Sequence, residues 1–206
     1  FTDTDGIYTT DPHIVPGARK LERIDYDEML ELAALGARVL HPRAVWYARR
    51  YGVKIHVRSS FSNAPGTLVC RLAEEEKRMR TESPVTGVAL DTNHARINVR
   101  GVRDEPGVAA RLFGALGEAG VNADMIIQGV PGAADSRQQM AFTVQQDMVE
   151  DALEATRPIV EEVGGEVSAD RNMAKISIVG IALGSTPGVA AQMFAAVAST
   201  GANIEM

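Results

Sequence analysis

The 206-residue chain has a single cysteine, Cys70, and no apolar run that approaches the roughly 18 residues of a membrane span. One cysteine excludes an internal disulfide and favours a reducing compartment, and we interpret Cys70 as an inert thiol. We therefore expect a cytoplasmic protein with no membrane partner. The chain begins at Phe1 rather than at methionine, and we expect it to be a fragment.

Several patterns that bind ligands or nucleic acid are also missing. No G-x-G-x-x-G segment and no Walker lysine is present, and the four histidines are too scattered to predict a metal site. Aromatic residues make up only 5%, and the formal net charge is −6. A sheet that binds RNA needs aromatic side chains, and a non-specific nucleic-acid binder needs a basic face. We predict no metal ligand and no nucleic-acid partner.

Two segments, residues 101–125 and 180–206, are copies of one unit. From Pro106 and Pro187 onward they align without a gap. A self-match of this length indicates a duplicated module. The identical pairs include Gly107/Gly188, Val108/Val189, Phe113/Phe194, Gly120/Gly201 and Asn122/Asn203.

Hydrophobic periodicity around the first copy predicts the order βαββαβ, which is that of a ferredoxin-like sandwich. A capping box of Asp147 with Glu150 should start the second helix of this module, and Pro158 should kink or break that helix. The predicted strands are 85–90, 96–100, 123–130, 139–145 and 166–169, the first helix is 106–119, and a loop covers 131–137.

The second copy reaches the end of the chain before it is complete. We predict a strand at 174–180, a helix at 187–200 and a strand that starts at Asn203. A βα pair with a strand stub cannot cover a sheet, so the module needs residues beyond 206. The alternative is a degenerate copy.

The first 69 residues and the segment after them differ in character. Turn-forming polar residues fill 3–12, a helix should start at Asp25 with Glu28 as its capping-box partner, and a second helix should run from Pro42 to the closing Gly52. We also predict a strand at 54–58. The charged run 74–80 has little apolar periodicity, so we interpret 70–84 as a linker with room for one helical turn.

Each copy of the repeat has a strand that ends in glycine, followed by Pro-Gly at a helix start. Unpaired N–H groups and the helix dipole make such a start suitable for a carboxylate. Asp104 could pair with an ammonium group, and Asn122, Asp124 and Gln128 belong to the next strand. This combination suits a free α-amino acid. The alternative is that Pro-Gly only marks the helix start.

Segments of the first 69 residues closely resemble the aspartokinase family, and the repeats resemble its tandem ACT domains. The segments are Thr2-Asp-Thr-Asp-Gly-Ile-Tyr-Thr-Thr-Asp-Pro12, Glu28-Met-Leu-Glu-Leu-Ala-Ala-Leu-Gly-Ala37, Val39-Leu-His-Pro-Arg43, and His56-Val-Arg-Ser-Ser-Phe-Ser62 with Pro65-Gly-Thr67. The resemblance implies the C-terminal part of an α/β amino-acid-kinase fold at 1–69, followed by α+β ferredoxin-like ACT domains. With the linker at 70–84, the first ACT domain would be 85–172 and an incomplete second one 173–206.

The aspartokinase family phosphorylates the side-chain carboxylate of L-aspartate with ATP and Mg²⁺, giving 4-phospho-L-aspartate. This is the first committed step toward lysine, threonine, methionine and isoleucine. The family's lysine-glycine-glycine motif and its Arg-Gly-Gly-Ser-Asp segment, which carry the catalytic lysine and the aspartate site, do not occur in this chain. The resemblance therefore implies a kinase as the parent protein, but no catalytic residue and no activity in this segment.

The resemblance also implies ATP-binding positions in the first segment. Thr2 and Asp3 would lie at the adenosine, and Tyr8, Asp11, Pro12 and His13 would wrap the nucleotide. Arg38 stands where the family often has a nucleotide-contacting lysine. His13 departs from the family, which usually has Arg or Lys at that position.

Effectors of the family bind at its ACT domains, so the resemblance implies L-threonine or L-lysine as ligands. Such sites form between ACT domains of two subunits, which implies a homodimer or a higher oligomer. Ala190 stands where the family often has Thr or Ser. The implied effector-binding residues are Asp104, Glu105, Gly107, Val108, Ala109, Asn122, Asp124, Gln128, Ala190, Asn203 and Ile204.

Two other functions stay open at this point. One is a non-catalytic regulatory subunit that binds amino acids, against which the kinase segment 1–69 argues. The other is a different relative of the amino-acid kinases, against which the tandem repeats argue.

Overall fold

A computed structural model describes residues 2–37, 39–80, 84–103, 105–129, 137–181 and 183–204, without the side chains of residues 79 and 80. Its α-helices are α1 (Tyr26–Ala34), α2 (Pro42–Tyr51), α3 (Glu74–Arg80), α4 (Val108–Glu118), α5 (Val149–Glu162) and α6 (Val189–Ser199). Its strands are β1 (Ile7–Tyr8), β2 (Lys20–Leu21), β3 (Arg23–Ile24), β4 (Ile55–Val57), β5 (Thr67–Val69), β6 (Gly87–Asp91), β7 (His94–Arg103), β8 (Ile126–Gln128), β9 (Arg137–Gln145), β10 (Glu166–Asp170) and β11 (Lys175–Val179).

The chain divides into two compact units. One unit comprises Phe1–Asp91 together with Ile176–Glu205, and the other comprises Thr92–Lys175. The first unit therefore contains the kinase-like segment and the second copy of the repeat. The domain boundaries that the sequence suggests remain predictions.

The unit Thr92–Lys175 has the predicted order βαββαβ. Its antiparallel sheet has the strand order β10–β7–β9–β8, and its apolar core includes α4 and α5 residues. The buried apolar residues alternate along most of β7 and β9, such as Ile97 and Val99 or Met140 and Phe142, as expected for a sheet with one covered face. The core includes Ile97, Val99, Leu112, Leu116, Phe142, Val144, Val149, Ala152 and Val160.

Strand boundaries in this unit bear directly on the predicted effector site. The register between β7 and β9 shifts between Arg100 and Val102, around Gly101, which has a left-handed φ of 70°. This β-bulge comes just before the turn into α4. A β-bulge commonly bends a strand at such a position. Strand β8 begins at Ile126, later than predicted, although Asp124 N donates to Thr143 O and Met125 O accepts from Thr143 N in β9. Val130 lies outside the described residues, as do residues 131–136 of the predicted loop. Arg137, predicted in that loop, is the first residue of β9.

The predicted capping box at Asp147 is wrong. A 3₁₀ turn covers Gln146–Met148, and α5 begins at Val149 after Met148, with no side-chain cap. Gln146 fixes this turn, because its backbone N–H donates to Asn93 O and its side chain donates to the carbonyl oxygens of His94 and Arg171. Asp147 therefore lies inside the turn.

The predicted break at Pro158 is also absent. Helix α5 is continuous from Val149 to Glu162 with Pro158 inside it. Buried residues lie on both sides of the proline, including Thr156 and Val160. A helix is kept across a proline when tertiary packing outweighs the lost backbone hydrogen bond.

The kinase-like segment contains the predicted helices. The capping box of Asp25 with Glu28 is confirmed, and α2 ends at Gly52, whose φ of 67° allows the left-handed cap. These helices pack with the three-stranded sheet β3–β5–β4. The core of this unit includes Ile7, Ile24, Met29, Leu32, Val45, Val57 and Val69.

The segment before the first repeat has two features that differ from the sequence interpretation. The charged run forms the seven-residue helix α3, longer than a single turn, and Ala73 N donates to the Glu76 carboxylate at its start, 2.9 Å away. Strand β6 pairs with β11 rather than with the four-stranded sheet. The second repeat therefore includes a strand that precedes the first repeat in the chain.

The end of the second repeat carries no strand in the described residues. Helix α6 is present as predicted, but residues 202–204 are irregular. The predicted strand start at Asn203 is therefore wrong for the residues that the structure describes. A strand needs a partner for its backbone groups, and no strand pairing is seen at Asn203.

Candidate functional site

Thr2 and Asp3, predicted near an adenosine, lie beside the end of β4. Thr2 N donates to Arg58 O at 3.0 Å, and Ser60 N donates to Thr2 O at 2.8 Å. The Thr2 hydroxyl donates to Asp3 Oδ1 at 2.9 Å. The backbone is thereby held in place while the Asp3 side chain stays exposed.

Tyr8 takes part in a polar cluster that sequence reasoning missed. Its hydroxyl donates to Asp5 Oδ1 at 2.7 Å, and Lys20 Nζ donates to Asp5 Oδ2 at 3.1 Å. Tyr8 and Lys20 are cross-strand neighbours in the β1–β2 pair. The hydrogen bond from Tyr8, followed by that from Lys20, holds the pKa of Asp5 below its ordinary value, and the bond to Asp5 raises the pKa of Tyr8. The sequence gives only a weak signal for this cluster, because Asp5 stands in a run of turn-forming residues.

Gly6 allows this cluster to form. Its φ is 154°, and a Cβ there would lie 2.7 Å from Thr67 Oγ1 and 2.8 Å from Lys20 Cδ. The buried Thr67 hydroxyl accepts from Ile7 N at 2.8 Å and donates to Leu21 O at 2.5 Å. A side chain at Gly6 would therefore displace groups that hold β1 to its neighbours.

The remaining predicted nucleotide residues form an exposed turn. Asp11 Oδ1 accepts from His13 N at 2.8 Å, and Pro12 and His13 are exposed. Two aliphatic side chains follow, Ile14 and Val15, which are 58% and 43% exposed. Arg38, the last predicted nucleotide residue, lies outside the described residues.

The residues predicted to bind a nucleotide combine apolar and polar groups at one exposed turn. The exposed turn offers apolar contact from Ile14 and Val15 and hydrogen-bonding groups from Asp11, which suits a ribose or a base. The Lys20 ammonium group is already paired with Asp5. No three His, Cys, Asp or Glu side chains among the described residues are arranged to hold a metal ion.

The two Pro-Gly helix starts have the same backbone conformation. Gly107 precedes α4 with φ 95° and ψ −11°, and Gly188 precedes α6 with φ 87° and ψ −8°. No side chain caps either start. Each helix therefore begins with backbone N–H groups that no side-chain cap occupies, as the carboxylate-binding prediction requires.

The other first-repeat residues predicted to bind effector lie around the start of α4 and near β8. Glu105 and Asn122 are exposed, Val108 is buried, and Ala109 is intermediate. Gln128 Nε2 donates to Gln138 Oε1 across the β8–β9 pair. Asp104 lies outside the described residues.

Asp124 has a partner that sequence reasoning missed. Lys175 Nζ donates to Asp124 Oδ2, and the Lys175 side chain is only 8% exposed against 49% for Asp124. Lys175 is the one charged residue in strand β11, and that was the available signal. The carboxylate predicted to meet a ligand therefore already meets an ammonium group.

The residues predicted from the second copy lie in the other unit. Ala190, in the first turn of α6, is exposed, as are Asn203 and Ile204 after the helix. The structure therefore describes these residues within the unit that comprises Phe1–Asp91 and Ile176–Glu205.

Comparison with known proteins gives two family matches. Residues 1–59 match the amino acid kinase family, and residues 97–157 and 176–206 match the ACT domain. An aspartokinase from Thermus thermophilus is 62% identical over 206 residues, which is 100% of this chain and 50% of that relative. The chain spans about half the length of the curated relatives it matches.

Solved structures similar to this chain are also aspartate kinases or their regulatory subunits. The ligand-free regulatory subunit of aspartate kinase from Thermus thermophilus is 60% identical, with a TM-score of 0.57 over 60% of this chain and 80% of that one. Aspartokinase III of E. coli is 27% identical to this chain, and the match covers 100% of this chain and 44% of the chain of that enzyme. Its complex with aspartate and ADP (R-state) has a TM-score of 0.75, and its complex with lysine and aspartate (T-state) has one of 0.68.

Part of an amino-acid-kinase fold followed by ACT domains is the architecture of a regulated kinase. The chain belongs to the aspartokinase family. No helix in the described ranges is long and apolar enough to cross a membrane.

Proposed function

We propose that the protein to which this chain belongs transfers the γ-phosphoryl group of ATP to the side-chain carboxylate of L-aspartate. The observation that carries this proposal is the match of the whole chain to aspartokinase III solved with aspartate and ADP. The product, 4-phospho-L-aspartate, would feed the biosynthesis of lysine, threonine and methionine. Such a reaction uses free ATP and amino acids, so we expect the protein in the cytoplasm.

The nucleotide side of the active site is the part that this chain supplies. Thr2, Asp3, Tyr8, Asp11, Pro12, His13 and Arg38 contact the nucleotide in this proposal. The Asp5 carboxylate fixes the Tyr8 hydroxyl and so orients the start of the turn. ATP supplies the phosphoryl group, and Mg²⁺ neutralises its charge.

The catalytic side lies elsewhere in the protein. Phosphoryl transfer depends on positioning and charge stabilisation around the γ-phosphate, and Lys20, the cation beside Tyr8, is bound to Asp5. We therefore expect no turnover from residues 1–206 alone.

The repeats are the regulatory part. An amino acid, L-threonine or L-lysine, binds with its carboxylate at an uncapped helix start and its ammonium near Asp104, in a dimer of ACT domains. The structure of aspartokinase III with lysine, described as its T-state, supports this role. An effector that prefers one pairing of the repeats shifts the kinase toward the state with that pairing.

The test is an assay of the complete protein and of residues 1–206 alone. We expect ADP formation that depends on L-aspartate, with an acyl phosphate trapped by hydroxylamine, and inhibition by L-threonine or L-lysine. Residues 1–206 should bind an effector without turnover. Absence of aspartate-dependent ADP formation from the folded complete protein would contradict the proposal.

A second candidate, a non-catalytic regulatory subunit, is favoured by one observation. The chain covers 80% of the regulatory subunit of aspartate kinase from Thermus thermophilus at 60% identity. Residues 1–206 would then associate with a catalytic chain and change its inhibition. Purification of the native protein discriminates the two, since a regulatory subunit is recovered as a chain of about this length bound to a separate catalytic chain, whereas the kinase is recovered as one chain of about twice this length.

A further inference from the structure

Polar contacts attach helix α3 to the kinase-like segment. Glu76 Oε1 lies 2.5 Å from Arg23 Nη1 of β3. Lys77 Nζ lies 3.9 Å from Asp25 Oδ2 at the start of α1. The side chains described in α3, at 74–78, include no apolar one. Ion pairs near a protein surface are weak and screened by salt, and a helix of this length has little stability of its own. We therefore expect α3 to detach more easily than a helix with a buried apolar face.

The chain just before α3 is anchored more firmly. Leu72 is 3% exposed, and its backbone N–H donates to Asp25 Oδ2 at 3.0 Å. Cys70 is also buried, and its backbone N–H donates to Ile24 O at 3.1 Å. The buried stretch ends at Leu72, because Ala73 is exposed. A release of α3 can therefore stop at Leu72 without opening the core.

An acidic cleft adjoins α3. The cleft has a volume of about 190 Å³ and is lined by Asp25, Asp27, Glu28, Glu31, Lys77, Gly180 and Ile181. Lys77 is the one cation among these lining residues, against four carboxylates. Partial removal from solvent, followed by the charges of Asp27 and Glu28, raises the pKa of Glu31. Attraction to the carboxylates therefore favours the docked position of Lys77.

The same cleft joins α3 to the second repeat within their common unit. Gly180 and Ile181 directly follow β11, which pairs with β6, the strand that comes after α3 in the chain. Glu28 of α1 accepts a hydrogen bond from Thr86, just before β6. Helix α1 is thereby linked to the second repeat through Glu28 and to α3 through Asp25.

We propose that α3 is a detachable strap that couples the second repeat to the kinase-like segment. In the docked state, α1, α3 and the end of β11 share one cleft, so a change at the second repeat acts on α1. In the released state, Lys77 leaves the cleft and the coupling is weakened. The regulatory consequence rests on the proposed function, in which an amino acid bound at the repeats inhibits the kinase, but the release of α3 does not depend on it.

The first experiment is hydrogen exchange, read by mass spectrometry, on the complete wild-type protein. Residues 72–80 are compared with α1 at about 0.1 M and about 1 M NaCl, over which the screening length falls from about 10 to about 3 Å. We expect exchange in α3 to become roughly threefold faster or more at the higher salt, with exchange in α1 unchanged. Exchange in α3 that ignores salt, or that accelerates together with α1, overturns the strap.

Charge variants of the complete protein test the ion pairs. Lys77→Glu and Arg23→Glu should each accelerate exchange in α3. Each should also raise the concentration of L-threonine or L-lysine, whichever inhibits wild type, that gives half-inhibition by roughly threefold or more. The kcat without effector should stay unchanged. Arg23→Glu/Glu76→Arg exchanges the two charges and should recover part of the slow exchange. Glu75→Lys, at an exposed residue of the same helix, is the matched control.

The outcomes separate the two proposals. Faster exchange in Lys77→Glu and Arg23→Glu with unchanged inhibition overturns the regulatory role of α3. Equal effects of Glu75→Lys and Lys77→Glu overturn the ion pairs as the cause. If neither amino acid inhibits the folded wild type, the proposed regulation and the coupling role are both wrong, while the dependence of hydrogen exchange on salt still decides whether α3 detaches.

Discussion

The hydroxyl of Thr86 donates a hydrogen bond to the buried carboxylate of Glu28, 58 residues earlier in the chain. Glu28 also accepts from Asp25 N at 3.3 Å as part of the capping box of α1. Thr86 N donates to Val179 O at 2.7 Å, which places Thr86 between α1 and the start of the β6–β11 pair. One buried carboxylate therefore links the kinase-like segment to the second repeat within their common unit.

Thr86→Val should destabilise this unit. Valine keeps the size of threonine but removes the donor to a buried carboxylate, a loss of about 1–3 kcal/mol. Urea unfolding of wild type and variant measures the difference. Thr86→Ser keeps a hydroxyl and should lose less stability than Thr86→Val. Equal losses in the two variants would show that the hydrogen bond is not the cause.

Gly180→Ala should also destabilise this unit, for a steric reason. A Cβ at Gly180 would lie 1.8 Å from Pro84 O, a backbone atom that cannot rotate away. Forcing backbone apart in a packed region costs about 1–3 kcal/mol. Gly184→Ala is the matched control, because a Cβ there meets nothing within 4 Å. Thermal unfolding should show a lower Tm for Gly180→Ala alone, and a similar Tm in both variants would contradict the close approach.

Patterns that extend over many residues made most of the fold predictable. The repeat and its periodicity predicted the βαββαβ order, and the capping signals predicted α1 and α2. The strands β1, β2, β3 and β5 were not predicted, because two or three residues carry no measurable alternation. The pairing of β6 with β11 was missed because it joins segments more than 80 residues apart in the sequence.

The candidate sites were predictable in part, for a related reason. Residue types near a helix start, in a turn or on the next strand can be read locally, so Gly107, Asp11 and Asp124 could be named as candidates, which remain predictions. The hydrogen-bond partners of these residues cannot be predicted locally. The hydrogen bond from Lys175 to Asp124 spans 51 residues, and that from Lys20 to Asp5 spans 15. Whether a carboxylate is free or already paired depends on such contacts, and the sequence alone does not contain them.

Asp104→Ala in the complete protein should weaken effector binding. If Asp104 pairs with the ligand ammonium, its loss costs about 1–3 kcal/mol of binding free energy. Calorimetry with L-threonine or L-lysine, whichever binds the wild type, measures the change. Glu118→Ala, at the exposed end of α4, should leave the affinity unaltered. Unchanged affinity in Asp104→Ala would exclude this residue from the site.

Glu31→Gln should raise stability at neutral pH. Partial removal from solvent, followed by the negative charges of Asp27 and Glu28, raises the pKa of Glu31, although much of its side chain stays exposed. For a carboxyl group with a raised folded pKa, the ionised form weakens the folded state above that pKa, and the cost disappears as the pH falls below the unfolded value of about 4.3. The variant should therefore unfold at higher urea than wild type at pH 7 and at the same urea near pH 3. A gain that is equal at both pH values would contradict ionisation as its cause.

Asp5→Asn should have the opposite dependence on pH. The hydrogen bonds from Tyr8 and Lys20 lower the folded pKa of Asp5, so the ionised carboxylate contributes stability above its unfolded pKa of about 3.9. That contribution is lost as the pH falls through the folded pKa. Urea unfolding should show the variant less stable than wild type at pH 7, with the difference shrinking below pH 4. Tyr8→Phe, which removes only the first of the two donors, should show a smaller difference with the same trend. A deficit in Asp5→Asn that persists unchanged at pH 3 would mean that the lost stability comes from packing and not from the charge of Asp5.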